Sequence, residues 1–197
     1  STPRPCGPIP PRTGRSINDL LKIAPLPEVR RGGQPDMSAQ ALAQSQPGNP
    51  AFDRWFGDSK VVDAEGKPLV VYHGTDAEFD AFDPNFTDDG AVYFSPDEST
   101  AKFFADNNYR AGGDPRVVAA YLSLKNPKMM GEQELLDIIG PPDDRDWTAL
   151  SQIVFEAKRD GFDGLHLPAV REENGVTGDQ WLAFDPTQIK SVNNRGT

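Results

Sequence analysis

His73 closes the apolar run of PLVVYHGTD and is followed at once by Gly74 and Thr75. An imidazole at the end of a buried-looking strand can exchange a hydrogen bond or a proton with a ligand, although such a histidine more often serves the structure. Tyr93 in GAVYFS and the Phe103–Phe104 pair in ESTAKFFADN offer aromatic faces, which suit either a core or a flat ligand. Thr75 and Ser95 add hydroxyls that are equally at home in turns. Other chemistry has few places to occur. The lone Cys6 makes no internal disulfide, which fits a reducing compartment, and with two histidines it cannot build an ordinary Cys/His zinc site. The carboxylates of DAEFDAFDPNFTDDG fit no calcium loop; they read as a solvated turn pinned by Phe79, Phe82 and Phe86. His166 alternates with Leu165 and Leu167 and reads as a structural histidine. No metal is expected.

These groups need elements to hold them. AFDRWFG spaces Phe52, Trp55 and Phe56 as a helix that stops at Gly57. VVDAEGKPLVVYHG predicts a strand, a tight turn over residues 64–66 and a longer strand. GAVYFS is a short strand, and Asp97 can cap a helix with Ala101, Phe104 and Ala105 on one face. VVAAYLSLK is a long strand running into Asn126-Pro127. Helices follow in GEQELLDIIG and WTALSQIVFEAKRDG, then three strands in FDGLHLP, QWLAF and QIKSV. The class is α+β. Trp55 and Trp181 read as packing residues, and Trp147 as a partly exposed helix start.

The composition changes at Pro50. Residues 1–49 form an arm rich in Pro and Gly with two short helical patterns, INDLLKIA and SAQALAQS, and residues 50–197 form the body. Residues 1–50 carry six basic and three acidic groups, a net of +3; with −10 overall, the remainder carries −13. An acidic body repels phosphate backbones, which argues against nucleic acid as a general partner. The contrast suggests a cationic arm that is either a solvated linker or docked on the body through groups such as Arg30 and Arg31. No stretch approaches the roughly 20 apolar residues of a membrane span. STPRPCGPIPPR lacks the continuous apolar segment of a classical signal peptide. A soluble protein is the expectation.

In order, HGT at 73–75, YFS at 93–95, AKFFA at 101–105, LSLKNP, GFDGLHL and QWLAFDPTQIKS resemble the ADP-ribosyltransferase fold. The similarity is to its His-Tyr-Glu branch, that of diphtheria toxin and poly(ADP-ribose) polymerases. Within that branch it is to domains of phage polyvalent proteins and bacterial effectors. WFGDSKVVDAEGKPLVVYHGT looks like the opening segment of those domains. The resemblance runs from Pro50 to the C-terminus. It implies split antiparallel β-sheets with flanking helices, NAD as substrate, and transfer of ADP-ribose to a protein acceptor by a toxin or effector. A secretion system would deliver such an effector to the host cytoplasm. By resemblance, His73 bonds a ribose hydroxyl of NAD. Gly74 offers its backbone amide and carbonyl to the nicotinamide carboxamide, where a Cβ would block the approach. Tyr93 and Phe104 (Phe103 if the helix register differs by one) sandwich the nicotinamide.

The family places its catalytic Glu at the start of the penultimate strand, before an aromatic–aliphatic–aliphatic–aromatic run. Here that position is Gln180. An amide can hold the ribose 2′-OH but brings no charge to an oxocarbenium-like transition state, a loss on the order of 10²–10³ in rate. Three accounts stay open: an introduced Glu-to-Gln exchange that traps NAD, a natural variant with weak activity or another carboxylate, or a fold that binds without chemistry. The candidate carboxylates are Asp179, which a regular strand turns to the opposite face, and Glu172 and Glu173. Those two lie in the loop REENGVTG, which in the family faces the acceptor and which reads equally as a solvated acidic turn. If the fold only binds, a cationic, Arg-containing peptide is the expected ligand, and the chain's own arm could be that peptide.

Overall fold

A computed structural model describes residues 47–77, 79, 81–107, 113–141, 146–171 and 177–193. The two helical patterns of the arm, Cys6, Arg30, Arg31, Glu172 and Glu173 lie outside the described residues. In chain order the elements are α1 (Pro50–Phe56), β1 (Val71–Thr75), β2 (Val92–Phe94), α2 (Glu98–Asn107), β3 (Arg116–Leu122), β4 (Pro127–Met129), α3 (Glu132–Ile139), α4 (Trp147–Arg159), β5 (Gly164–Arg171), β6 (Thr177–Ala183) and β7 (Ile189–Ser191).

The strands form two sheets, ordered β1-β3-β7 and β2-β6-β5-β4. Pairing is antiparallel except between β4 and β5. One isolated bridge, Tyr72 with Ser95, joins the sheets through Tyr72 N–H to Ser95 O (2.8 Å) and Ser95 N–H to Tyr72 O (2.9 Å). This is the split-sheet α+β architecture that the resemblance implied.

Two cores hold the halves together. Between the sheets lie Val71, Phe94, Leu122, Leu124, Trp181 and others. On the outer face of the second sheet, α4 buries Leu150, Ile153, Val154 and Ala157, spaced i, i+3, i+4 and i+7 as one helical face. Asp146 caps that helix by accepting from Thr148 N–H (2.9 Å) and Ala149 N–H (3.3 Å). Asp97 caps α2 as its sequence predicts, accepting from Ser99 N–H at 2.8 Å. Helix α1 docks on the first sheet: Phe52 is fully buried beside Phe56 and Tyr121, and Trp55 Nε1–H donates to Thr187 O at 2.8 Å.

The boundaries differ from expectation in places. The strand expected over residues 68–74 pairs as a ladder only from Val71; upstream, Val62 and Pro68 make a single bridge around the turn at Gly66. The strand expected to end at Asn126-Pro127 ends at Leu122, and Pro127 opens β4, which the sequence reading lacked. Proline is tolerated there because β4 is a sheet edge and Pro127 is its first residue. FDGLHLP extends to Arg171 through a bulge between Leu167 and Val170, and the QWLAF strand begins at Thr177, so Gln180 sits in mid-strand rather than at a start.

Candidate active site

The sheets part just beyond the Tyr72–Ser95 bridge, and a cleft of about 500 Å³, solvent-open space included, lies at the parting. His73, Gly74, Tyr93, Ser95, Phe104 and Gln180 all border it. Strand geometry explains the convergence. Tyr93 faces Leu182 across β2 and β6, and Gln180 lies two residues from Leu182, so Tyr93 and Gln180 are diagonal neighbours on one face. Backbone groups alternate between the edges of a strand. Gly74 therefore aims its amide and carbonyl at the edge where Tyr72 meets Ser95, beyond the point at which that pairing stops.

Helix α2 closes the cleft by packing across β1, with Thr100, Ala101, Phe104 and Ala105 inward. Gly74 makes that contact possible. A Cβ built on it would overlap the Ala101 carbonyl oxygen and lie 2.8 Å from Ala105 N. The need for glycine here is thus close helix–strand approach, in addition to any ligand. Phe104, not Phe103, borders the cleft, and Phe103 stacks edge-on against it at 5.7 Å. Tyr93 and Trp147 pack against Phe104 as well.

His73 is 5% exposed. Its Nδ1–H donates to Tyr93 O at 2.8 Å, since a carbonyl can only accept. That fixes Nε2 as an acceptor, and Nε2 is buried with no protein partner. Phe82 meets the ring edge-on at 5.3 Å. Burial lowers the imidazole's pKa from 6.5 to about 4, against the bond to Tyr93, and the Arg116 cation lowers it further. The ring is neutral at pH 7. Between pH 6.5 and about 4 the unfolded chain takes up a proton that the folded chain refuses, so stability falls as pH drops through that window. The loss at pH 5 is about 2 kcal/mol. Thermal melts at pH 7 and pH 5 should show a smaller loss for His73→Gln, which cannot titrate; equal losses would mean that the imidazole takes up its proton in the folded chain at the same pH as in the unfolded one.

Two residues that the sequence reading passed over support Tyr93. Its hydroxyl donates to the Asp89 carboxylate. Burial raises the Asp89 pKa, partly offset by that hydroxyl, and burial followed by the Asp89 charge raises that of Tyr93 well above the ordinary range. Lys158, near the end of α4, donates to the carbonyls of Asp89 (2.8 Å) and Gly90, and burial lowers its own pKa. The acidic loop is therefore not simply a solvated turn: Phe82 packs on His73 and Asp89 reaches the site. No local pattern marks Asp89 among its acidic neighbours; only the fold of the turn selects it.

The remaining candidates make hydrogen bonds within the protein. Thr75 is buried, does not border the cleft, and accepts from Ala77 N–H at 3.0 Å. Ser95 Oγ accepts from Asp97 N–H at 3.1 Å. Asp179 stays on the face opposite Gln180, bonded to His166 Nε2 (3.1 Å) and Ala169 N–H (3.1 Å). The bulge lies in β5 across from Asp179, not in β6, so it does not bring this carboxylate to the cleft. His166 packs on Trp181 at 4.3 Å, as a structural histidine would.

No group of residues able to hold a metal occurs among the described residues, and no described helix is long and apolar enough to cross a membrane. Residues 63–197 match the family described as ADP-ribosyltransferase in polyvalent proteins. No curated protein matches the chain. With that match over most of its length, on a split-sheet α+β fold, the chain belongs to the family of ADP-ribosyltransferase domains in polyvalent proteins, a class whose substrate is NAD.

Proposed function

We propose that the cleft binds NAD and that the domain is a mono-ADP-ribosyltransferase of the His-Tyr-Glu branch, slowed by Gln180 in the carboxylate position. The observation that carries this reading is the meeting of His73, Gly74, Tyr93, Phe104 and Gln180 at one cleft, from distant parts of the chain. The His73 Nε2 lone pair, buried and lacking a protein partner, suits a ribose hydroxyl as donor. The Gly74 amide and carbonyl meet the carboxamide, and the rings of Tyr93 and Phe104 flank the cationic pyridinium. Gln180 accepts from the 2′-OH. The bond between ribose C1′ and the nicotinamide nitrogen breaks with its electron pair leaving on nicotinamide; an acceptor nucleophile or water adds at C1′ and gives up a proton. The acceptor is a protein and the setting that of a toxin or effector, a reading that rests on resemblance to effector domains.

Isothermal titration of the full chain with NAD should give saturable binding that His73→Ala weakens about tenfold or more, the loss of one buried polar contact. Binding unchanged by His73→Ala would remove the reading. A second reading, a degenerate domain that holds a cationic peptide such as its own arm, draws on the +3 and −13 charge split and the neutral Gln180. It requires NAD to bind appreciably only after Arg30→Glu with Arg31→Glu.

A further inference from the structure

Tyr93 sits in the middle of a three-residue edge strand at the parting of the sheets, paired with β6 alone. Its ring is held at both ends: by Phe104 along its side, and by the Asp89 carboxylate at its hydroxyl. The same carboxylate accepts from Ala91 N–H at 3.1 Å. Gly90, at φ 71°, folds the chain back between them. Thr87 Oγ accepts from Ala91 N–H at 2.8 Å while its hydroxyl donates to Pro84 O at 2.8 Å. From the other side Lys158 ties the Asp89 and Gly90 carbonyls to α4, its ammonium 5.0 Å from the centre of the Phe184 ring. Even a half-buried carboxylate is costly unless bonded, and here a turn amide and the phenol bond it while a lysine from another element holds its backbone carbonyl.

We propose that Asp89 is a positioning residue that sets the Tyr93 ring parallel to the nicotinamide of NAD, with Lys158 holding the turn that carries it. Asp89 does not border the cleft and touches no substrate; it acts through Tyr93. A phenol already donating to a carboxylate is not available as a proton donor, so Tyr93 contributes a ring face and not acid–base chemistry. The proposal rests on the NAD reading above and adds to it a division of labour. Loss of Asp89 should affect only the nicotinamide half of the ligand, whereas a merely structural turn would affect both halves alike.

The test is titration of the full chain with NAD and, separately, with ADP-ribose, which lacks nicotinamide. Asp89→Ala should weaken NAD about tenfold, as expected for losing a hydrogen bond to a charged group, and leave ADP-ribose within about twofold. Asp89→Asn keeps an oxygen that accepts from the phenol and should recover most of the NAD affinity. Tyr93→Phe keeps the ring but not the bond, and carries the same expectation as Asp89→Ala if that variant does not fold. Equal weakening of both ligands, or NAD affinity unmoved, overturns the positioning role and leaves the NAD reading standing. A parent chain that binds neither ligand overturns both.

Discussion

Gln180→Glu is expected to raise the rate of nicotinamide release from NAD by about 10²–10³, the usual scale for one preorganised electrostatic group in a water-poor site. Gln180 is 5% exposed and lies on the face shared with Tyr93. A carboxylate there would meet the positive charge that develops at the sugar, while the amide only accepts a hydrogen bond. The NAD dissociation constant should change far less than the rate, because the charge matters in the transition state more than in the bound ground state. Burial will raise the new carboxyl's pKa, so the gain should grow with pH until that group is ionised. Nicotinamide release at saturating NAD, followed with and without a cell lysate as acceptor source, reads the effect. A Gln180→Glu chain that binds NAD as the parent does, yet neither hydrolyses it nor labels any protein, would remove the transferase reading. It would leave a domain that binds without chemistry.

Gly74→Ala should destabilise the fold by about 3 kcal/mol or more, at the upper end of overpacking costs. The added Cβ would overlap the carbonyl oxygen of Ala101 and lie 2.7 Å from its carbon and 2.8 Å from Ala105 N. These are backbone atoms of α2, so no flexible side chain can move aside. Relief requires α2 to shift from β1, and α2 carries Phe104 on the cleft. Affinity for NAD should therefore fall together with stability. Gly178→Ala is the control, since a Cβ there meets nothing within 4 Å. Denaturant midpoints at unchanged slope measure both variants. A Gly74→Ala midpoint close to that of Gly178→Ala would show that helix and strand are looser than their contact implies.

Local patterns declared most of the helices and strands. The α2 face of Ala101, Phe104 and Ala105, the Asp97 cap and the alternation around Leu165 and Leu167 are written in neighbouring residues, because helix and strand periods and caps are short-range effects. The order of HGT, YFS, AKFFA and QWLAF likewise pointed to the fold family and to His73, Tyr93 and Gln180 as a set. What sequence could not decide depended on contacts between distant segments. Whether β4 forms turns on a free edge beside β5, and Pro127 concealed it. Whether Phe103 or Phe104 faces the cleft turns on how α2 rests on Gly74. Asp89 looks like any other acid of its loop until the turn at Gly90 and a lysine nearly 70 residues onward bring it to the Tyr93 hydroxyl. Pairing of that kind comes from long-range packing, which leaves no local trace in the order of residues.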